Sequence, residues 1–295
     1  MREAQRRIDR FAHRYNRAYI TIEFLSHCFP FTSNSSAYMT PSWHLKQSAL
    51  CVAAAVSVVV SVNAHADELV VSAAASLTNA FKAVGDAFEQ QHPGTKILLN
   101  FGASDVLMQQ IVKGAPADVF ASADQKAMDK AAAEKVIVPA TRRDFAANSL
   151  VLIVPADSHF APANLNALTT ANVKRVAFGD PASVPVGRYT QGALQAAGVW
   201  DAVNAKAVLA SNVRQSLDYV ARGEVDAGFV FGTDAAIMPD KVKVAMNLPT
   251  QTPITYPLAQ VEGSHHAADA QAFIDFVLSP AGQAVLAKYG FKPAH

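Results

Sequence analysis

Two serines stand where a hydrophobic strand runs into a helical pattern. In residues 69–81, LVVSAAASLTNAF, Ser76 sits at the turn, and in residues 97–111, ILLNFGASDVLMQQI, Ser104 does. A helix start presents backbone N–H groups that the helix cannot satisfy, together with the positive end of its dipole. A serine hydroxyl beside them adds a donor. Two such ends aimed at one point make an anion site that needs no lysine or arginine. A serine at such a junction also serves as an ordinary N-cap, and for either serine taken alone both readings are open. The small residues in AAAS and GAS leave room for something to approach the backbone.

The second half of the chain repeats the theme. Residues 179–189, GDPASVPVGRY, form a Pro-rich loop entering a helix, and residues 210–217, ASNVRQSL, enter another. Arg188 and Arg214 lie close to these two starts; either is a candidate auxiliary anion contact, and surface or interlobe pairing is the favoured role for both. Two early and two late helix starts suit two lobes facing each other across a cleft.

Other reactive side chains point less clearly to chemistry. His265 and His266 precede a helix, but adjacent histidines do not easily share one metal ion. Asp118, Asp124, Asp180 and Asp234 are candidate carboxylates for a hydrolytic enzyme; Asp124 and Asp180 lie at loop or cap positions, and structural roles are favoured. The chain contains no G-x-S-x-G, H-E-x-x-H, P-loop or G-x-G-x-x-G motif.

The positioning elements alternate. Strands are expected at 69–72, 96–101, 118–121, 149–154, 175–178, 227–231, 242–245 and 255–261. Leu77, Phe81, Val84 and Phe88 carry the clearest helical spacing. Further helices are expected at 105–113, 125–134, 187–197, 212–222, 268–278 and 280–289. This alternation predicts an α/β fold with mostly parallel sheets and a ligand site at strand C-termini.

The chain has 295 residues, and its first 66 read as a leader. Residues 49–62 are an apolar run of 14, suited to a signal-peptide core and too short to span a bilayer. Ala64-His65-Ala66 reads as the cleavage site, which implies export to the periplasm. Met39 is the expected start of the signal peptide, with residues 1–38 a misassigned upstream extension.

Residues 1–66 hold 7 of the 25 Lys+Arg and 3 of the 24 Asp+Glu, leaving a remainder of net charge −3. Such a chain lacks the basic face of a nucleic-acid binder. Cys28 and Cys51 both fall in the leader, so no cysteine chemistry or Cys-ligated metal is expected after cleavage.

Five segments together resemble the periplasmic molybdate-binding proteins of ABC transporters: AAASLTNAF (73–81), GAPADVFASAD (114–124), GDPASVPVG (179–187), YPLAQVEG (256–263) and SPAGQAVLAKYGF (279–291). The resemblance spans residues 68–291. It implies the two-lobed type II periplasmic binding protein fold, with residues 67–147 and 262–295 in one lobe and 148–261 in the other. It also implies a molybdate or tungstate ligand, no cofactor, a monomer and a membrane permease as partner. Ser76 and Ser104 match the family's two ligand serines, while Val186 and Val213 match its backbone donors. The family motif V-Y-G-[ST]-D-A reads Val230-Phe231-Gly232-Thr233-Asp234-Ala235 here. Phe231 therefore replaces a tyrosine whose hydroxyl binds the anion, and Thr233 is the candidate for compensating. Sulfate or another tetrahedral oxyanion is the alternative ligand.

Overall fold

The structure, a computed structural model, describes residues 67–294. The leader, with Met39, its apolar run and its cleavage site, lies outside the described residues. The described chain forms two five-stranded sheets. The first contains β1 (Asp67–Ala74), β2 (Thr95–Gly102), β3 (Val119–Ala121), β4 (Arg143–Asn148) and β10 (Ile254–Gln260), in the order β2-β1-β3-β10-β4. The second contains β5 (Leu150–Pro155), β6 (Val176–Gly179), β7 (Ala207–Ala210), β8 (Ala227–Phe231) and β9 (Val242–Leu248), in the order β7-β6-β8-β5-β9.

Both sheets follow one plan. In the first, β1 pairs in parallel with β2 and β3, and β10 pairs antiparallel with β3 and β4. In the second, β6 pairs in parallel with β7 and β8, and β5 pairs antiparallel with β8 and β9. In each sheet four of the five strands therefore run in one direction, as expected, and one, β10 or β5, runs against them. Parallel strands need helical crossovers, whereas the other strands come from chain that passes between the sheets.

The chain passes from the first sheet to the second through Ser149 and returns between Leu248 and Ile254. The expected second lobe, 148–261, thus ran too far, because β10 belongs to the first sheet. Periodicity identifies residues 255–261 as a strand but carries no information about which sheet accepts it. The expected strands also missed β4 and β7. Both lie at sheet edges, and their sequences RDFAAN and AVLA have mixed burial rather than an apolar run.

Helix α1 (Thr78–Gln91) and α2 (Ser104–Val112) follow β1 and β2, and α3 (Gln125–Ala133) follows β3. In the second half come α4 (Pro185–Ala196), α5 (Trp200–Asn204), α6 (Val213–Ala221) and the single turn α7 (Gly232–Ala235). The chain ends in α8 (Ala267–Leu278) and α9 (Pro280–Lys288). The spacing seen in α1 is its buried stripe: Phe81 and Phe88 set their rings 6.1 and 5.4 Å from Phe273 of α8. Such aromatic burial, about 1.5–3 kcal/mol per side chain, fixes α1 on the first sheet.

One glycine is required by close approach. A Cβ on Gly187 would lie 1.9 Å from the carbonyl oxygen of Gly179. The first turn of α4 can therefore press onto the end of β6 only with glycine there, which places Val186 at the sheet's C-terminal edge.

Candidate functional site

Ser76, Ser104, Val186, Val213 and Phe231 come together around one small, tight cavity of about 10 Å³. They arrive from five separate strand ends. Ser76 occupies the middle of a 3₁₀ turn, Ala75–Leu77, between β1 and α1. Ser104 is the first residue of α2, Val186 the second of α4 and Val213 the first of α6. Phe231 ends β8. By position, the N–H groups of Ser104, Val186 and Val213 have no intrahelical partner.

Neither serine caps its own helix through its side chain. The cap positions before the 3₁₀ turn, α1 and α2 are Ala74, Leu77 and Ala103, and none makes a side-chain cap bond. Asp124, Asn212 and Ser279 do cap, accepting from the N–H groups of Ala127, Gln215 and Gly282. The two cleft serines are held differently. Ser104 Oγ accepts from the backbone N–H of Ala123 at 3.0 Å, and Ser76 Oγ meets Tyr256 Oη at 3.0 Å. Ser76 and Ser104 are 2% and 0% exposed, so a ligand in the cavity would be stripped of water.

The cavity is lined by small and apolar residues, these donors and Asn212, and among the described residues no charged side chain lines it. Four larger hollows, of about 450–630 Å³, lie elsewhere among the described residues with mixed linings. Their size does not make them better candidates, because none gathers the four helix starts around one point.

Formal charges stand just behind the cavity and tie the halves together. Arg188 of α4 reaches Asp105 of α2 and Asp124 at the start of α3, with Nη2 2.6 Å from a carboxylate oxygen of each. Burial pulls the Arg188 guanidinium down, but Asp124 and Asp105 outweigh it and hold its pKa above the ordinary value. Arg214 of α6 places Nε 2.5 Å from Asp234, Nη1 2.7 Å from Asn79 and Nη2 3.2 Å from the carbonyl of Ser76. It therefore fixes the spacing between the Ser76 turn and the start of α6. Both arginines are bound by carboxylates and serve interlobe pairing.

Asp234 is fully buried, and its Oδ2 has no hydrogen-bond partner among the described residues. Burial pushes its carboxyl up to about 6 against the pull of Arg214. Tyr256 is also fully buried; burial, and then the nearby Asp234, push its hydroxyl well above the ordinary tyrosine range. It is consequently a neutral donor or acceptor.

The remaining carboxylates have structural partners. Asp118 accepts from Val70 N and from Ser264 Oγ at 2.7 and 2.6 Å, and Asp180 accepts from Ala182 N at 2.9 Å. His266 approaches Asp67 and Asp269 in a partly exposed group that does not line the cavity.

The Thr233 hydroxyl accepts from Asn148 Nδ2 at 2.8 Å, and Thr233 does not line the cavity. Phe231 does line it, with its ring 5.8 Å from Tyr256 and 6.2 Å from Tyr189. Sequence reasoning missed Tyr256 and Asn148, which meet at 3.1 Å behind Ser76. Tyr256 lies 180 residues from its partner serine, so no local pattern links them.

Residues 69–292 match the family described as bacterial extracellular solute-binding protein. The molybdate-binding protein ModA of Escherichia coli (strain K12) is 40% identical over 250 residues, covering 82% of this chain and 96% of that protein. The fold matches the periplasmic molybdate-binding protein of Azotobacter vinelandii at 24% identity, with a TM-score of 0.69 over 77% of this chain and 100% of that one. It also matches the sulfate-binding protein SubI of Mycobacterium tuberculosis H37Rv at 20% identity, with a TM-score of 0.67 over 77% and 87%. These last two likenesses bear on the fold alone, which is the two-lobed periplasmic binding protein fold with its cleft between the sheets. On sequence, fold and cleft together, the chain belongs to the bacterial extracellular solute-binding proteins, in the family of the molybdate-binding proteins.

Proposed function

We propose that the cavity binds molybdate, and tungstate by the same geometry, and that the protein delivers the anion in the periplasm to the permease of an ABC transporter. It acts as a monomeric carrier and not as an enzyme. The observation that carries this reading is the convergence of two uncapped serine hydroxyls and several helix-start N–H groups on one small cavity without a charged lining residue. A tetrahedral dianion accepts many hydrogen bonds, each worth about 1.5–3 kcal/mol net when charge-assisted. Micromolar binding needs about 8 kcal/mol and nanomolar about 12. A cage of neutral donors is sufficient for either.

Fixed donors also select by size. Metal–oxygen bonds in molybdate and tungstate are longer than the S–O bonds of sulfate, so a cage spaced for the former leaves sulfate under-contacted. A thermal-shift panel of the purified protein with molybdate, tungstate, sulfate and phosphate tests this. At one hundred times Kd the ligand adds about 2.7 kcal/mol, which for a chain of this size is about 5–11 °C in Tm. Large shifts with molybdate and tungstate are expected. An equal or larger shift with sulfate would reassign the ligand.

Export is part of the proposal. The mature chain should begin at Asp67, after Ala64-His65-Ala66, and N-terminal sequencing of the exported protein reads this directly. A mature chain that retains residues 49–62 would contradict a free periplasmic carrier.

Phe231→Tyr should raise molybdate affinity by about five- to tenfold. The ring already lines the cavity, and the hydroxyl would supply one further charge-assisted donor of about 1–1.4 kcal/mol. Calorimetry checks it. A tenfold loss at unchanged Tm would mean that the cavity has closed around phenylalanine and the added oxygen crowds it.

A further inference from the structure

Hydrogen-bond direction can be followed outward from a group that has no choice. The backbone N–H of Ser149 can only donate, and it lies 2.9 Å from Asn148 Oδ1. That contact fixes the amide, so Asn148 Nδ2 faces Thr233 Oγ1 at 2.8 Å and Tyr256 Oη at 3.1 Å. An amide nitrogen donates, so the tyrosine oxygen accepts. The Tyr256 proton must then go to Ser76 Oγ, 3.0 Å away. Ser76 is left with a proton that it cannot return to Tyr256, and the cavity is the direction that remains for it.

Ser104 Oγ accepts from the Ala123 N–H, which leaves its own proton available to the cavity. The Ser76 hydroxyl thus faces the cavity as a donor before any ligand arrives. Preorganised donors of this kind avoid the cost of reorienting on binding. Bonds in such a chain also polarise one another, which strengthens the terminal donor.

We infer that Tyr256 and Asn148 are the positioning residues of this site: they form a directed relay, Ser149 N–H to Asn148 to Tyr256 to Ser76, that commits the Ser76 hydroxyl to donating to the bound oxyanion. The inference rests on the oxyanion reading above. Asn148 ends β4, immediately before the chain crosses to the second sheet, and its amide contacts Tyr256 of the first sheet and Thr233 of α7, which follows β8 of the second. The relay therefore spans the crossing.

The test is reversal. Asn148→Asp keeps an acceptor for Ser149 N–H but replaces the donor facing Tyr256 with a second acceptor. Tyr256 then donates to residue 148, its oxygen accepts from Ser76, and the serine no longer presents a proton to the cavity. The added charge also repels an anion, so the variant is measured in two backgrounds. Molybdate affinity is determined by calorimetry for the purified wild type, Asn148→Asp, Tyr256→Phe and the double variant, with the melting temperature of each recorded.

The relay predicts that Tyr256→Phe loses about tenfold. It also predicts that Asn148→Asp loses at least tenfold more affinity in the tyrosine background than in the phenylalanine background, where there is nothing to reverse. Equal losses in both backgrounds would reduce Asn148→Asp to a charge effect and overturn the relay. So would unchanged affinity in Tyr256→Phe. A wild type that binds no oxyanion would instead overturn the underlying reading.

Discussion

Replacing both cleft serines, Ser76→Ala with Ser104→Ala, should weaken molybdate binding about a thousandfold and leave the protein folded. Each hydroxyl is expected to contribute about 2 kcal/mol to a desolvated anion, and the two losses sum where the groups act independently. Either single variant should lose roughly thirtyfold. Stability should change little, because neither serine caps its helix. The bonds lost within the protein are one to the Ala123 N–H and one to Tyr256. Calorimetry for affinity and urea unfolding for stability separate the two effects. Unchanged affinity in both single variants would return the serines to an ordinary structural role and remove the site.

Arg214→Met should be the most destabilising single change among the charged residues near the cleft. Asp234 has no exposed surface, and Arg214 is the cation paired with it, at 2.5 Å. Removing one partner of a buried pair costs about 3–5 kcal/mol, since it strands the other charge. The methionine keeps most of the stem, so the loss is chiefly electrostatic. Affinity should fall as well, because Arg214 also ties α6 to the Ser76 carbonyl and to Asn79.

The pH dependence gives this prediction a signature. Asp234 has its folded-state pKa raised to about 6, from an ordinary 3.8. The native state therefore binds this proton more tightly than the unfolded chain does. The group's contribution to stability is full below about pH 4 and lost as pH rises through about 6. In Arg214→Met the upper end of that window should move to higher pH, so the variant recovers stability on acidification. Unfolding of both proteins between pH 4 and 8 measures it. A parallel pH profile for variant and wild type would show that Arg214 does not act through Asp234.

The parts of this site that could be read along the chain are those in which chemistry is local. A strand, small residues, a serine and then a helix carry their meaning within a dozen positions, as around Ser76 and Ser104. The Pro-rich entry to α4 and the Asn212-led entry to α6 are local in the same sense. What could not be read depends on contacts between distant segments. The sheet that accepts β10 is decided by pairing with β3 and β4, and the same strand carries Tyr256 to Ser76. Edge strands β4 and β7 escaped because half-exposed strands need no apolar run. Thr233 attracted attention as a hydroxyl next to Phe231, but adjacency along the chain did not bring it to the cavity. The capping reading of the two serines also needed three dimensions, because an N-cap and a first-turn ligand donor share one sequence pattern.

If neutral donors at converging helix starts hold the oxyanion, anomalous diffraction at the molybdenum edge, from crystals grown with molybdate, should show one strong peak in the small cavity. The anion's oxygens should lie within hydrogen-bond distance, about 2.6–3.1 Å, of Ser76 Oγ, Ser104 Oγ and the N–H groups of Val186 and Val213. A peak beside Arg188 or Arg214 with the small cavity unoccupied would contradict it.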